Sequence, residues 1–279
     1  MYKALQANAI GQKANFEEQA AMAAKTGFKG VQVNLPSEYA MGAAKVKEIL
    51  AKYGLVPSHC GLTVDFRTTE DSFVDSLKDW EKYVKFAAEL GLDRCATWIT
   101  PTSDTLTYGE NFELTSRRLR ACARVLEAYG IRFGLEFVGP KTKRDLKYDF
   151  IHNLNGFFTL CEAIGTSNLG LLLDIIHWDT SGQTKADFKR LTEKQIVLVH
   201  VNDGAEGRTL EEQIDKDRRL PGATGVFNAK DFVAGLKEMN YTGPVMAEPC
   251  YAPLHDMTFE AAARLTSESI SKIGIENNG

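Results

Sequence analysis

The sequence predicts an α/β fold, a (β/α)8 TIM barrel spanning residues 1–279 as one domain. Three observations carry this. Eight short β-type runs alternate with helical stretches. Most helical stretches end at Gly, the usual left-handed cap past a helix end. The β-type runs are mostly continuous in apolar character, as in parallel strands covered by helices. Eight βα units in about 250 residues describe the closed barrel. No Ser/Gly/Pro-rich linker divides the chain. A doubly wound sheet is the structural alternative, but no GxGxxG follows the first strand.

The expected strands are 2–9, 30–35, 56–62, 94–100, 131–137, 169–175, 196–202 and 244–248. Between them run FEEQAAMAAKTG, AAKVKEILAKYG, SLKDWEKYVKFAAELG, FELTSRRLRACARVLEAYG, LNGFFTLCEAIG, KADFKRLT and AKDFVAGLKEMN. A last helix, about 257–273, closes the chain. The helix-to-strand junctions read KTGFKGVQV, KYGLVPSHC, ELGLDRCATW, AYGIRFGLEF, AIGTSNLGLLLD and MNYTGPVMAE.

Apolar residues make up 44% of the chain and charged residues 25%, which excludes disorder as the default. The net charge of −4 argues against a general nucleic-acid binder, which needs basic surface to neutralise phosphates. No apolar run reaches the length of a membrane span. The start, MYKALQANAIGQKANFEEQ, lacks the basic and apolar segments of a signal peptide, so the cytoplasm is the expected compartment. The five cysteines are odd in number, widely spaced and without CxxC. They read as reduced, buried apolar residues rather than as disulfides or a zinc site.

Four expected strands each deliver a metal-type ligand at or near their end: IRFGLEF (Glu136), LGLLLDIIH (Asp174), IVLVHVND (His200) and PVMAEP (Glu248). A carboxylate inside an apolar run costs several kcal/mol unless a partner or metal offsets it. In the barrel these four lie on strands 5 to 8, at the end of the fold where active sites are built. Three carboxylates and one imidazole suit Mn²⁺ first, then Mg²⁺ or Co²⁺, with open positions for substrate oxygens. Zn²⁺ fits less well because it takes fewer ligands and more nitrogen or sulfur. One such ion, chelating neighbouring oxygens of a sugar, would acidify the adjacent C–H and stabilise an enediolate. A carboxylate on each side would remove the proton and return it.

The motifs GLEFVGP, LLLDIIHW, VHVND, LPGATGVFNAKDFVAGLKEMNYTGPV and MAEP, in this order at strand ends, resemble the sugar isomerase/epimerase superfamily with a xylose-isomerase-like barrel. That group includes ketose 3-epimerases, hydroxypyruvate isomerase, inosose dehydratase and the endonuclease IV branch. The resemblance implies that Glu136 and Glu248 are both ligands and the acid/base pair. It implies that Asp174 and His200 complete the ligand set and that His177 contacts substrate. The chain departs from those epimerases where an arginine is expected six residues after the ligand histidine. Glu206 stands there, inside an insert, AEGRTLEEQIDKDRR, and Arg208, Arg218 or Arg219 are its candidate replacements. Asn34 occupies the end of strand 2, where many relatives carry glutamate.

His59 and Trp98, near the ends of strands 3 and 4, are candidate pocket residues, Trp98 as a flat apolar face for a sugar. Lys141, with Lys143 and Arg144, could meet an acidic or phosphorylated substrate, although a solvated loop is the commoner meaning of such a run. Arg208 joins Lys141 among the substrate contacts expected. His152 and His255 read as solvated loop residues. Asp203 is either a partner that supports His200 or a cap for the next turn. PGATG (221–225) lacks a P-loop lysine and reads as a turn.

The leading expectation is a metal-dependent isomerase or epimerase of a ketose or keto-sugar. The rival is a lyase with the same first step, a dehydratase or keto-glycoside eliminase. A phosphodiesterase of the endonuclease IV type would need more histidine ligands than the five histidines here supply. A non-catalytic sugar-binding barrel leaves the two glutamates unexplained. The expected partners are a small-molecule sugar and a second copy of the chain, with neither nucleic acid nor membrane.

Overall fold

A computed structural model describes residues 1–277, so the last two residues of the expected 1–279 domain lie outside the described residues. Eight parallel strands close into a barrel: β1 (Tyr2–Leu5), β2 (Gly30–Val33), β3 (Val56–Gly61), β4 (Arg94–Ile99), β5 (Arg132–Phe137), β6 (Leu169–Asp174), β7 (Ile196–Val201) and β8 (Pro244–Ala247). β8 returns to pair with β1, Tyr2 opposite Pro244. Every strand falls inside its expected window. The first is shorter than 2–9 because Ala7–Ile10 coil into a 3-10 helix that ends at Gly11, with φ 74°.

The helices are α1 (Phe16–Lys25), α2 (Leu35–Met41), α3 (Ala43–Tyr53), α4 (Glu70–Lys78), α5 (Trp80–Glu89), α6 (Tyr108–Ala128), α7 (Leu154–Ile164), α8 (Ile175–Thr180), α9 (Ala229–Glu238) and α10 (Phe259–Lys272). Four stretches differ from expectation. SLKDWEKYVKFAAELG is divided between α4 and α5, because α4 starts earlier, at a Thr69 cap that accepts from Ser72 N. KADFKRLT forms only a 3-10 turn, pinned by buried Phe188, which packs on Trp178 and Phe232. The short helices α2 and α8 carry no periodic apolar pattern and were not expected from sequence.

Glycine caps five of the six junctions as expected: Gly27, Gly54, Gly91, Gly130 and Gly165 all have φ between 65° and 79°. At the sixth, α9 ends earlier than the glycine, and Asn240 takes the left-handed conformation at φ 58°. Asparagine tolerates that region better than most residues do.

The barrel wall separates two apolar layers. Ala96, Leu172 and Leu198 fill the barrel interior, while the larger cluster packs strands against helices. Burial on both faces explains the continuous apolar strands. Side chains alternate along a strand, so Trp98, Asp174 and His200, two residues beyond those interior residues, share their inward face. Register then sets the neighbours at the mouth: Trp98 opposite Glu136, and Asp174 opposite His200. Glu248 follows β8 directly, its N–H donating to Val201 O at 3.1 Å.

Candidate active site

The four strand-end residues converge. His200 Nδ1 lies 3.8 Å from Glu136 Oε1, 3.7 Å from Asp174 Oδ2 and 3.5 Å from Glu248 Oε2. One imidazole nitrogen thus faces a carboxylate from each of three other strand ends. Glu136 Oε1 and both ring nitrogens of His200 are buried with no hydrogen-bond partner among the described residues. Buried polar atoms are rarely left unpaired. The donor set, one nitrogen and three carboxylates, fits a divalent cation. Compact ligand groups are Asp174, His200 and Glu248, and, sharing Asp174, Glu136 with His177.

Each of these side chains is aimed by its surroundings. Asp174 Oδ1 accepts from Ile176 N at 3.0 Å, capping α8, and from Asn202 Nδ2 at 2.8 Å. Those two bonds leave Oδ2 to face His200. Asn202 therefore does for Asp174 what was expected of Asp203 for His200. Asp203 instead accepts from four backbone N–H groups, those of Gly204, Thr224, Gly225 and Phe227, at 2.8–3.0 Å. A carboxylate already fills the Gly-rich PGATG turn, so its amides are not free for a phosphate.

α8 places His177 at the mouth, 2% exposed. Gly139 N donates to its Nδ1 at 3.3 Å. The ring proton is therefore on Nε2, which faces Glu136 Oε1 and Asp215 Oδ1, each at 3.8 Å. Burial pushes the His177 pKa down to about 4, outweighing the nearby carboxylates. In this tautomer the neutral ring presents an N–H donor to the pocket. Gly139 permits this approach, since a Cβ there would lie 2.5 Å from His177 O.

The insert after His200 is folded, not a loose loop. Asp203 pairs with Arg219 and Ile214 with Asp217 in antiparallel bridges, and the buried Gln213 amide ties Ala205 and Arg208 together. It delivers Arg218, 2% exposed, into the centre. Arg218 Nη1 donates to Asp174 Oδ2 at 3.0 Å and to Glu248 Oε2 at 2.9 Å, while Nη2 donates to Asp215 Oδ1 at 2.5 Å. Four carboxylates, Glu136, Asp174, Asp215 and Glu248, surround this one guanidinium, so the cluster retains an excess of negative charge that a dication would relieve.

The two glutamates are electrostatically unequal. Burial, then the charges of Asp174 and Glu248, push the Glu136 carboxyl well above its usual range. Burial also acts upward on Glu248, but Arg218 and His200 outweigh it and hold that carboxyl well below its usual range.

A cavity of about 380 Å³ opens over the centre, walled by Trp98, Glu136, Lys143, His177, Asp215, Lys216, Arg218 and Glu248 among others. Trp98, 46% exposed, offers its ring there, with Arg67 stacked 4.2 Å from its centroid. Three of the expected contacts lie elsewhere. His59 is buried beside Ser58, 3.0 Å from its Oγ, and outside the cavity wall; burial, then the charges of His200 and Arg94, push its pKa down to about 3. Arg208 pairs with Asp217 at 2.7 Å, and Lys141 is exposed and pairs with Glu211 at 2.9 Å. Lys143 takes Lys141's place at the wall and Arg218 that of Arg208. Spacing alone does not distinguish these neighbours, because the fold of the insert decides which side chain turns inward. Asp215 and Lys216 went unsingled for the same reason.

All five cysteines are free. Cys60, Cys95 and Cys122 are buried as expected, whereas Cys161 and Cys250 are only half-buried. Among the described residues, no helix is long and apolar enough to cross a membrane.

A family model described as xylose isomerase-like TIM barrel matches residues 20–271. An inosose isomerase from Halalkalibacterium halodurans is 26% identical over 168 residues, 57% of this chain and 56% of that protein. The chain thus spans little more than half the length of that relative. Among solved structures, a xylose isomerase domain protein from Alicyclobacillus acidocaldarius superposes with a TM-score of 0.87 at 31% identity, covering 98% of each chain. An IolI protein carrying a zinc atom superposes with a TM-score of 0.81 at 18% identity, again over 98% of each.

Proposed function

This chain belongs to the xylose isomerase-like TIM barrel family, and from that premise we propose that it is a divalent-metal-dependent isomerase or epimerase of a ketose or keto-sugar. The observation that carries the reading is the convergence of Glu136, Asp174 and Glu248 on one nitrogen of His200, with buried atoms left unpaired. The similarity to an inosose isomerase supports the reaction class.

A divalent ion held by Glu136, Asp174, His200 and Glu248 would supply Lewis-acid polarisation of substrate oxygens and so acidify the neighbouring C–H. The zinc of the similar IolI protein makes Zn²⁺ a candidate beside Mn²⁺, Mg²⁺ and Co²⁺. The protein's own groups supply the proton traffic. Glu136 and Glu248 come from strand ends three apart round the barrel and approach the cavity from different sides. A carboxylate on each side of the bound sugar is the arrangement in which one removes a proton and the other returns it. His177 Nε2–H and Arg218 offer donors that fix substrate oxygens, and Trp98 offers an apolar face.

A lyase of the same family is the second reading. Lys216 in the cavity wall, beside Glu248, is a cation that could steady a departing oxygen. The deciding experiment loads the protein with Mn²⁺ or Zn²⁺ and incubates it with ketoses and 3-keto-glycosides in D₂O. Solvent deuterium at carbon with the skeleton intact is the expected result. Loss of water or of an aglycone would instead make it a lyase. Absence of both exchange and elimination across the panel would sink the proposal.

A further inference from the structure

The cavity over the centre is not isolated. Lys216 and Glu248 wall it and also wall a neighbouring cavity of about 410 Å³, which reaches Asn8 in the segment after β1. Asn8 in turn belongs to the wall of a third cleft, of about 400 Å³, which extends to Gln32, Asn34 and Glu38 at the end of β2. The three spaces thus share wall residues in series, Lys216 and Glu248 between the first two and Asn8 between the last two. A single pocket of about 300–1,000 Å³ already encloses a drug-sized ligand, so the series exceeds what one sugar ring needs.

The far cleft carries an unmet requirement of its own. Glu38 is 5% exposed, and its Oε1 accepts from Ser37 Oγ at 2.8 Å. Its Oε2 is buried with no hydrogen-bond partner among the described residues. Such an atom needs a donor. The polar side chains of the wall are mostly Asn and Gln, with Lys13 the one cation, so it is not built for phosphate. Hydroxyl groups match it, because they donate to a carboxylate and accept from amide N–H.

We propose that the substrate is an extended glycoside. Its reacting sugar occupies the central cavity, its next unit lies past Lys216 and Glu248, and its distal hydroxyls reach Glu38 in the amide-lined cleft. This rests on the sugar reading of the centre only for the reacting unit.

The test measures binding to the Mn²⁺-loaded protein by calorimetry and saturation-transfer NMR. The probes are glucose and the α- and β-linked glucose di- and trisaccharides. Affinity should rise by at least about tenfold from glucose to the best trisaccharide, the gain from one or two well-made hydrogen bonds. Saturation should appear on the units beyond the first. Glu38→Ala should cancel that gain and leave glucose binding unchanged. Asn8→Trp, at an exposed position, should do the same by filling the passage between the second and third spaces. Affinity independent of chain length overturns the proposal, as does failure of every probe to bind, or a gain that survives both substitutions. Deuterium exchange into a small ketose needs none of the outer spaces. Exchange without a chain-length effect removes this proposal alone, and a chain-length effect without any exchange removes the isomerase reading alone.

Discussion

Arg218 Nη1 donates to the Glu248 carboxylate at 2.9 Å, inside the group of carboxylates that converges on His200. The same nitrogen reaches Asp174 Oδ2 at 3.0 Å. The chain thus carries its own cation at the centre, anchored by Asp215. A buried guanidinium among carboxylates is stabilising only because each neutralises the other, and removing one partner strands the rest.

Arg218→Met should therefore act in opposite senses on the metal-free and metal-bound protein. Without metal, loss of the buried counter-charge should cost about 3–5 kcal/mol, read as a lower urea midpoint in EDTA. With Arg218 gone, Mn²⁺ or Zn²⁺ should bind more tightly by calorimetry, since the ion no longer shares Asp174 and Glu248 with a guanidinium. Weaker metal binding in the variant would show that Arg218 supports the ion rather than competing with it.

Glu136→Gln and Glu248→Gln should each slow solvent-proton exchange into substrate by roughly two to four orders of magnitude. Metal content, measured in parallel, separates loss of the proton path from loss of a ligand. Full activity with full metal in both variants would remove the acid/base assignment.

Gly139→Ala should displace His177, because the added Cβ meets His177 O at 2.5 Å and Thr180 Oγ1 at 2.7 Å. The expected result is a fall in kcat/KM of about tenfold or more, comparable to the loss of a positioned donor, with metal content retained. His177→Ala should match it. Metal loss in His177→Ala would instead make the ring a ligand.

Asp203→Ala should lower stability without touching the centre. It strands buried N–H groups at Gly204 and Phe227 and frees the turn at Thr224 and Gly225. Each group left unsatisfied costs roughly 1–3 kcal/mol, so the urea midpoint should fall clearly. An unchanged midpoint contradicts this role.

One surface carboxylate, shared by two arginines, adds a pH-dependent contribution to stability. Glu70, bonded to Arg117 and to buried Arg118, has its carboxyl lowered from 4.5 to about 2 by those hydrogen bonds. A folded-state value below the unfolded one stabilises above pH 4.5 and is lost as pH falls toward 2. The Tm difference between the native protein and Glu70→Gln should be full at neutral pH and close over that range. A difference independent of pH would assign the effect to packing.

The sequence by itself determined the barrel and singled out the four strand-end residues that converge at its mouth. Continuous apolar runs need cover on both faces, and glycine after most of the predicted helices marks where a strand begins. These are local signals, repeated often enough to count eight units. A carboxylate at the end of such a run is visible because it is costly where it stands. Only the tertiary structure decided the rest. Arg218, not Arg208, enters the centre because Gln213 and the Asp203–Arg219 bridge fold the insert back on itself. His177 presents Nε2 because an unforeseen short helix lifts it to Gly139 N–H, across 38 residues of sequence. Asp203 looks in sequence like a partner for His200 but closes a turn more than twenty residues on. Such roles depend on which distant backbone groups arrive at a side chain, and neither composition nor spacing carries that information.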